Sequence, residues 1–204
     1  MNLEKYQQYS RIARGLEKAD LVLKDARIVN VFTEEIIRGD IAIQDGIIAG
    51  IGSFHGKEER DLAGRYVCPG FIDSHLHLES TLVTPAELVT VASRHGTTTF
   101  IVDPHESANV SGLAGIDYIL DQTEDVKANV YVMMPSCVPA TAIDDNGCTL
   151  TAEDMAPYLH NSRILGLGEV MDSISVVQGD KTMHDKLELF EGRIRDGHAP
   201  FLEE

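Results

Sequence analysis

The chain has 204 residues, 43% hydrophobic and 25% charged, which suffices for one large domain or two small ones with a sizeable core. Its 33 acidic and 17 basic side chains give a formal net charge of −16, which argues against a nucleic-acid partner; no apolar run reaches membrane-spanning length, so no membrane partner is expected. Cys68, Cys137 and Cys148 form no Cys-x-x-Cys pair, so neither a disulfide framework nor a thiolate zinc cluster is indicated, and the charged stretch from Met1 to Asp20 lacks a leader's apolar core; a reducing cytoplasm is expected.

Leu3, Tyr6, Tyr9, Ala13 and Leu16 recur at helical spacing and predict an N-terminal helix within residues 1–20. Residues 21–66 then read as a small antiparallel sheet of short β-rich runs, 21–23, 26–32, 35–37 and 40–43, with Asp45-Gly46 turning a hairpin into Ile47-Ile48-Ala49. So few short strands are marginal alone and call for completion by others.

From residue 67 to 204 the pattern is strand, helix, strand, helix. Val67 to Leu78 reads as a buried strand entered through Pro69-Gly70. Thr84-Pro85-Ala86-Glu87 predicts a capping box opening a helix from Pro85 to His95, with Gly96 as its stop. Strands are expected at 97–102, 129–134, 164–171 and 193–198, and helices at 111–123, 151–160 and 181–190. Such alternation implies a parallel sheet with right-handed crossovers, either doubly wound or a β/α barrel. No Gly-x-Gly-x-x-Gly or P-loop follows any strand, and polar residues collect at the C-terminal ends of the strands, where barrels carry their chemistry, so the barrel is favoured.

Strand periodicity sends Asp73, His75 and His77 to one side of the first strand and Ile72, Ser74, Leu76 and Leu78 to the other. Two imidazoles on one rigid element supply half of a metal shell, although a bare His-x-His also suits histidines without ligand roles. Glu169 lies in the apolar run Gly166-Leu167-Gly168-Glu169-Val170, where an unpaired charge would be expensive, and a ligand reading follows. His198 closes the fifth strand and completes a candidate set of His75, His77, Glu169 and His198. Asp103-Pro104-His105-Glu106 fits either a charged surface turn or a cluster facing a substrate. His55, His95, His160 and His184 follow loops or helices and are expected to be structural or solvent-facing.

Pro69-Gly70-Phe71-Ile72-Asp73-Ser74-His75-Leu76-His77 resembles the first-strand motif of the amidohydrolase superfamily. Glu79-Ser80, Val102 to Glu106 with Ala108-Asn109-Val110, Met134 to Ala140, Gly166 to Met171 and Asp196 to Pro200 extend the match and are similar to the bacterial adenine deaminase family within it. That resemblance implies an α/β fold: a metal-dependent hydrolase β/α barrel beside a small β-sandwich-like composite domain. It implies adenine as a small-molecule purine substrate, deaminated to hypoxanthine and ammonia in purine salvage, with two divalent ions, manganese or iron first and zinc as a further candidate. His75 and His77 would bind one ion, Glu169 would bridge where many relatives use a carbamylated lysine, and His198 would bind the second. Glu169, His105 and Glu106 are the implied catalytic residues, and Asp103, His105, Ser136 and Cys137 the implied substrate contacts. The His-x-Glu with Pro-Cys-x-x-Cys of cytidine-type zinc deaminases is absent.

Only about five of eight barrel strands fit between residue 67 and Glu204, where a full barrel takes roughly 250 residues. The family's sixth-strand histidine and eighth-strand aspartate fall outside these residues, and a truncated ending is expected. Open sheet edges then predict reliance on a complementing C-terminal segment or a second copy of the chain. A hydantoinase-like or imidazolonepropionase-like cyclic-amide hydrolase is the alternative enzyme reading, and a non-catalytic metal-binding remnant the alternative of another class.

Overall fold

Asn2 accepts a hydrogen bond from Lys5 N and caps helix α1 (Leu3–Ala13), in which Ile12 is the buried residue. The computed structural model describes residues 2–141 and 143–200, so Phe201–Glu204, part of the expected ending, lie outside the described residues. Two units are distinguished, Met1–Pro69 and a second that begins at Gly70.

In the first unit the predicted runs 21–23 and 26–32 are one strand, β1 (Ala19–Asn30), interrupted by a bulge between Leu23 and Ala26. Asp40 pins that bulge: its carboxylate accepts from Lys24 Nζ at 2.5 Å, Asp25 N at 3.1 Å and Phe54 N at 3.2 Å. Strands β2 (Glu35–Gln44) and β3 (Ile47–Gly52) form the expected hairpin, with Asp45 and Gly46 at φ 49° and 75°, the paired positive values of a type I′ turn. The sheet is mixed rather than antiparallel, because β4 (Gly56–Asp61) and β5 (Tyr66–Val67) both pair parallel to β1. The bulge shifts the pleat, so Val22 and Ala42 pack with Ile12 and Phe54 on one face, while Ala26, Ile28 and Ile41 form a second cluster on the other.

The expected strand from Val67 to Leu78 is corrected. Val67 ends β5 in the first unit, and β6 (Phe71–Leu76) starts after the Pro69-Gly70 break as a largely exposed strand rather than a buried one. It pairs with β7 (Thr97–Val102), followed in order by β8 (Asn129–Pro135), β9 (Ile164–Val170) and β10 (Ile194–Gly197), every pair parallel. Parallel neighbours in chain order, joined by helical crossovers, make the leading part of a β/α barrel.

Helix α2 (Pro85–Arg94) has proline in its first turn, but Thr84 makes no side-chain cap, so the predicted capping box is absent there. A capping box does form at α5 (Ala152–Met155), between Thr151 and Asp154, before Pro157 tightens the chain into a 3₁₀ turn from Ala156 to His160. The single helix expected over 111–123 is two, α3 (His105–Ser111) and α4 (Leu113–Gln122), divided at Gly112 with φ 61° and ψ −138°. An added Cβ at Gly112 would lie 2.7 Å from Cys148 Sγ, so the break is fixed by packing as well as by dihedral. Helix α6 (Ser173–Gln178), capped by Asp172, precedes α7 (Lys181–Leu189). Leu78, Val89, Phe100, Val102, Ile116, Ile119, Val132, Met134 and Phe190 join one core between strands and helices. Each such fully buried side chain contributes about 1.5–3 kcal/mol relative to exposure, which holds the strand ends in fixed relation.

Candidate metal centre

Glu169, the penultimate residue of the apolar strand β9, has 3% exposure and a φ of 43°, a left-handed conformation that costs a non-glycine residue about 1–2 kcal/mol. Its backbone is held from three sides. Glu169 N donates to Asp196 Oδ1 at 3.1 Å, Ser136 Oγ donates to Glu169 O at 2.8 Å, and Ser136 N donates to the Gly168 carbonyl at 3.0 Å. The turn that these contacts impose aims the carboxylate across the C-terminal ends of the strands.

Imidazoles from two strand ends and one helix start surround it. His75 Nε2 lies 3.1 Å, His77 Nε2 3.3 Å and His198 Nε2 3.4 Å from Oε1, while His105 Nδ1 lies 2.7 Å from Oε2. His75 Nε2 and His77 Nε2 are 3.1 Å apart. His77 Nδ1 donates to the Asp103 carbonyl at 2.7 Å, so in neutral His77 the Nε2 atom carries a lone pair facing Glu169. In a shell with bonds of about 2.1 Å, neighbouring donor atoms stand about 3.0–3.4 Å apart, and His75, His77 and Oε1 meet that spacing.

Charge supports the same assignment. Asp103 is 1% exposed and neither of its carboxylate oxygens, nor His105 Nδ1, has a hydrogen-bond partner among the described residues. Burial first, and the nearby Glu169 charge second to the opposing effect of His105, leaves the Asp103 carboxyl with its pKa pushed up to about 6. The adjacent Asp103 carboxylate raises His105 above its ordinary value despite partial burial. Two buried carboxylates beside the His77 lone pair and three further imidazoles suit a divalent cation.

The structure brings together His75, His77, Glu169, His105 and His198, from β6, β9, the start of α3 and the end of β10. Asp103, Ser136 and Cys137, expected to contact substrate, are each about 1% exposed, and Ser136 and Cys137 make hydrogen bonds to Glu169. Glu106 is exposed and accepts from Ser80 Oγ, at the mouth of the site. Glu79 Oε1 accepts from Glu106 N at 3.1 Å and Ser107 N at 3.3 Å, capping α3 and so fixing where His105 starts. Lys186 is a further participant. It is 4% exposed, donates to the Ser136 carbonyl at 2.8 Å, and burial holds its amine below the ordinary lysine value. A lysine three residues after Met183 and four before Phe190, on the apolar stripe of α7, is the signal that could have found it. His184 instead lies 2.9 Å from the Val176 carbonyl, and His55, in the first unit, 3.3 Å from Glu59.

A parallel β/α sheet with a His-x-His at the end of its first strand and a buried glutamate on its fourth has the fold and residue pattern of the metal-dependent hydrolase barrels. Residues 66–199 match the family model described as the amidohydrolase family, and the chain belongs to that family. Among relatives, a protein named adenine deaminase from Desulfitobacterium hafniense is 56% identical over 204 residues, covering 100% of this chain and 36% of its own length. Adenine deaminase 2 of Carboxydothermus hydrogenoformans is 49% identical over 93% of this chain, and adenine deaminase of Geobacillus kaustophilus 48% identical over 91%, each matched over 33% of its length. The chain therefore spans about a third of the length of the curated relatives it matches. Among solved structures, the N-acyl-D-glutamate deacylase of Bordetella bronchiseptica, crystallised with zinc and a phosphonate inhibitor, superposes with a TM-score of 0.54 at 19% identity, over 89% of this chain and 45% of that one; the likeness is one of fold.

Proposed function

We propose that this chain forms the leading, metal-holding part of an adenine deaminase, which converts adenine and water to hypoxanthine and ammonia. The observation that supports it most is the convergence of His75, His77, His105 and His198 on the Glu169 carboxylate in a chain 56% identical to a protein bearing that name. Divalent cations in such centres supply a nucleophile at neutral pH by acidifying water. His75, His77 and His198 with Glu169 Oε1 would hold the cation, and the His77 tautomer fixed by the Asp103 carbonyl presents its Nε2 lone pair. Glu106, exposed and accepting from Ser80 Oγ, would accept a ring N–H and orient the purine for addition of water oxygen at C6, one water proton ending on ring N1 and the other on the amino nitrogen, which leaves as ammonia. Manganese or iron, with zinc as the third choice, suits the imidazole and carboxylate donors. The three free thiols suit the cytoplasm.

Phe71 and Ile72 on β6 and Ile194 on β10 are 65%, 63% and 52% exposed, at the two ends of the parallel sheet, where further barrel strands would add. Co-expression with the C-terminal remainder of the Desulfitobacterium relative, followed by manganese loading, is expected to give ammonia release from adenine and none from a panel of cyclic amides. A folded, metal-loaded assembly that releases ammonia from no purine, or that opens cyclic amides instead, would overturn this reading.

A further inference from the structure

Asn146 is the one asparagine of six followed by glycine, the others preceding leucine, valine or serine. A glycine amide has no Cβ to shield it, so its nitrogen can reach the preceding side-chain amide and close a five-membered imide. Both residues are exposed, in the segment that runs from β8 to α5. The fold ties up both reacting groups. Gly147 N donates to the Asn109 carbonyl on α3 at 2.8 Å, and Asn146 Nδ2 donates to Thr149 Oγ1 at 3.1 Å and to the Cys148 carbonyl. Nucleophile and leaving group are thus pinned together.

We infer that Asn146-Gly147 is a self-modification site latched by α3, which converts to aspartyl and isoaspartyl forms when the latch opens. Gly147 N attacks Asn146 Cγ, the Cγ–Nδ2 bond breaks, and the Gly147 amide proton passes through solvent to the departing nitrogen, which leaves as ammonia. Water then opens the imide at either carbonyl, giving aspartate by one route and isoaspartate by the other. The isoaspartyl product lengthens the main chain by one methylene beside a residue without spare room, since an added Cβ at Gly147 would stand 2.6 Å from the Val110 carbonyl oxygen and 3.0 Å from that of Asn109. It does not reseat as before, and α3, which opens with His105, loses a contact at its far end. Ammonia from this source is stoichiometric with the chain and needs neither metal nor purine, so it stands apart from catalytic turnover.

Peptide mass spectrometry of the purified chain, aged at neutral pH with and without denaturing urea, tests this, with isoaspartate read by enzymatic methylation. Asn146 should be the asparagine that converts in both, at least about tenfold more slowly in the folded chain, since neutral hydrogen bonds on both reacting groups must first break. Thr149→Val removes an acceptor of the Nδ2 group; it should raise the folded rate about fivefold and leave the rate in urea unchanged. Hydrogen exchange of the Gly147 amide in the parent chain needs no variant, and its protection should match the slowing of conversion. Equal rates folded and in urea, or an unprotected Gly147 amide, overturn the latch. Conversion at other asparagines with Asn146 intact overturns the site.

Discussion

Asp40 in the first unit and Glu169 in the second are both buried carboxylates, 8% and 3% exposed, and burial does not distinguish them. Their neighbours do. Asp40 meets an ammonium and two backbone N–H groups, all donors; burial pushes its carboxyl up, but the Lys24 hydrogen bond together with Asp25 N and Phe54 N pulls it below the ordinary aspartate value. The Glu169 carboxylate meets imidazoles, a long thiol contact and a strained backbone turn of its own. A carboxylate saturated with fixed donors serves the fold, and one ringed by lone pairs awaits something that accepts them.

Glu169→Gln should separate the two roles most sharply. Cation affinity is expected to fall about 1,000-fold, roughly 4 kcal/mol, while stability of the metal-free chain stays within about 1 kcal/mol or rises; calorimetric titration and urea unfolding read the two quantities. A large loss of stability with binding intact would reverse the comparison. Asp40→Ala is expected to do the opposite, destabilising by about 3 kcal/mol because Lys24 and two N–H groups lose their acceptor, with cation affinity unchanged.

Lys186→Met sharpens the contrast, because it removes a buried cation that supports the site rather than the fold. Cation affinity should drop about tenfold as the Ser136 carbonyl loses its donor, with stability near neutral pH unchanged or raised by about 1 kcal/mol. The native lysine has a folded pKa below its ordinary 10.5, so the unfolded chain binds more protons between those values and stability rises with pH through that window; the variant should lack this rise in unfolding scans. Asp40 has the same sign in an acidic window. Its folded pKa lies below 3.8, so its contribution is complete above that value and is lost as pH falls through the folded one; Asp40→Asn should remove that acid dependence from the first unit. Thr151→Ala, which opens the capping box of α5, should cost about 1 kcal/mol and leave cation binding alone.

Where pattern and packing agree, the sequence was readable. Thr97–Val102 is a strand as expected because a β-branched run ends at a buried face, and Asp45-Gly46 turns the hairpin because its residues tolerate positive φ. Strand β4 reads Gly-Lys-Glu-Glu-Arg-Asp, without the apolar alternation that marks a strand, since its pairing with β1 leaves almost all of its side chains in solvent. The start of α3 was hidden because Pro104 precedes it, and its cap comes from Glu79, distant in sequence. His75, His77, Glu169 and His198 could be nominated from strand-end position alone. That His105 and Cys137 stand on the other oxygen of Glu169 depends on the backbone turn at 169, which no local pattern announces.

The bond from Glu169 N to Asp196 Oδ1 also ties the centre to the weakest strand of the sheet. Asp196 belongs to β10, four exposed residues joined to the sheet through β9 and 27 positions beyond Glu169 in the chain. Until that short strand docks, the amide that orients the glutamate lacks its acceptor. The aim of the glutamate thus depends on the strand that has least to hold it in place, and loosening β10 would blunt the centre before it disturbed the core.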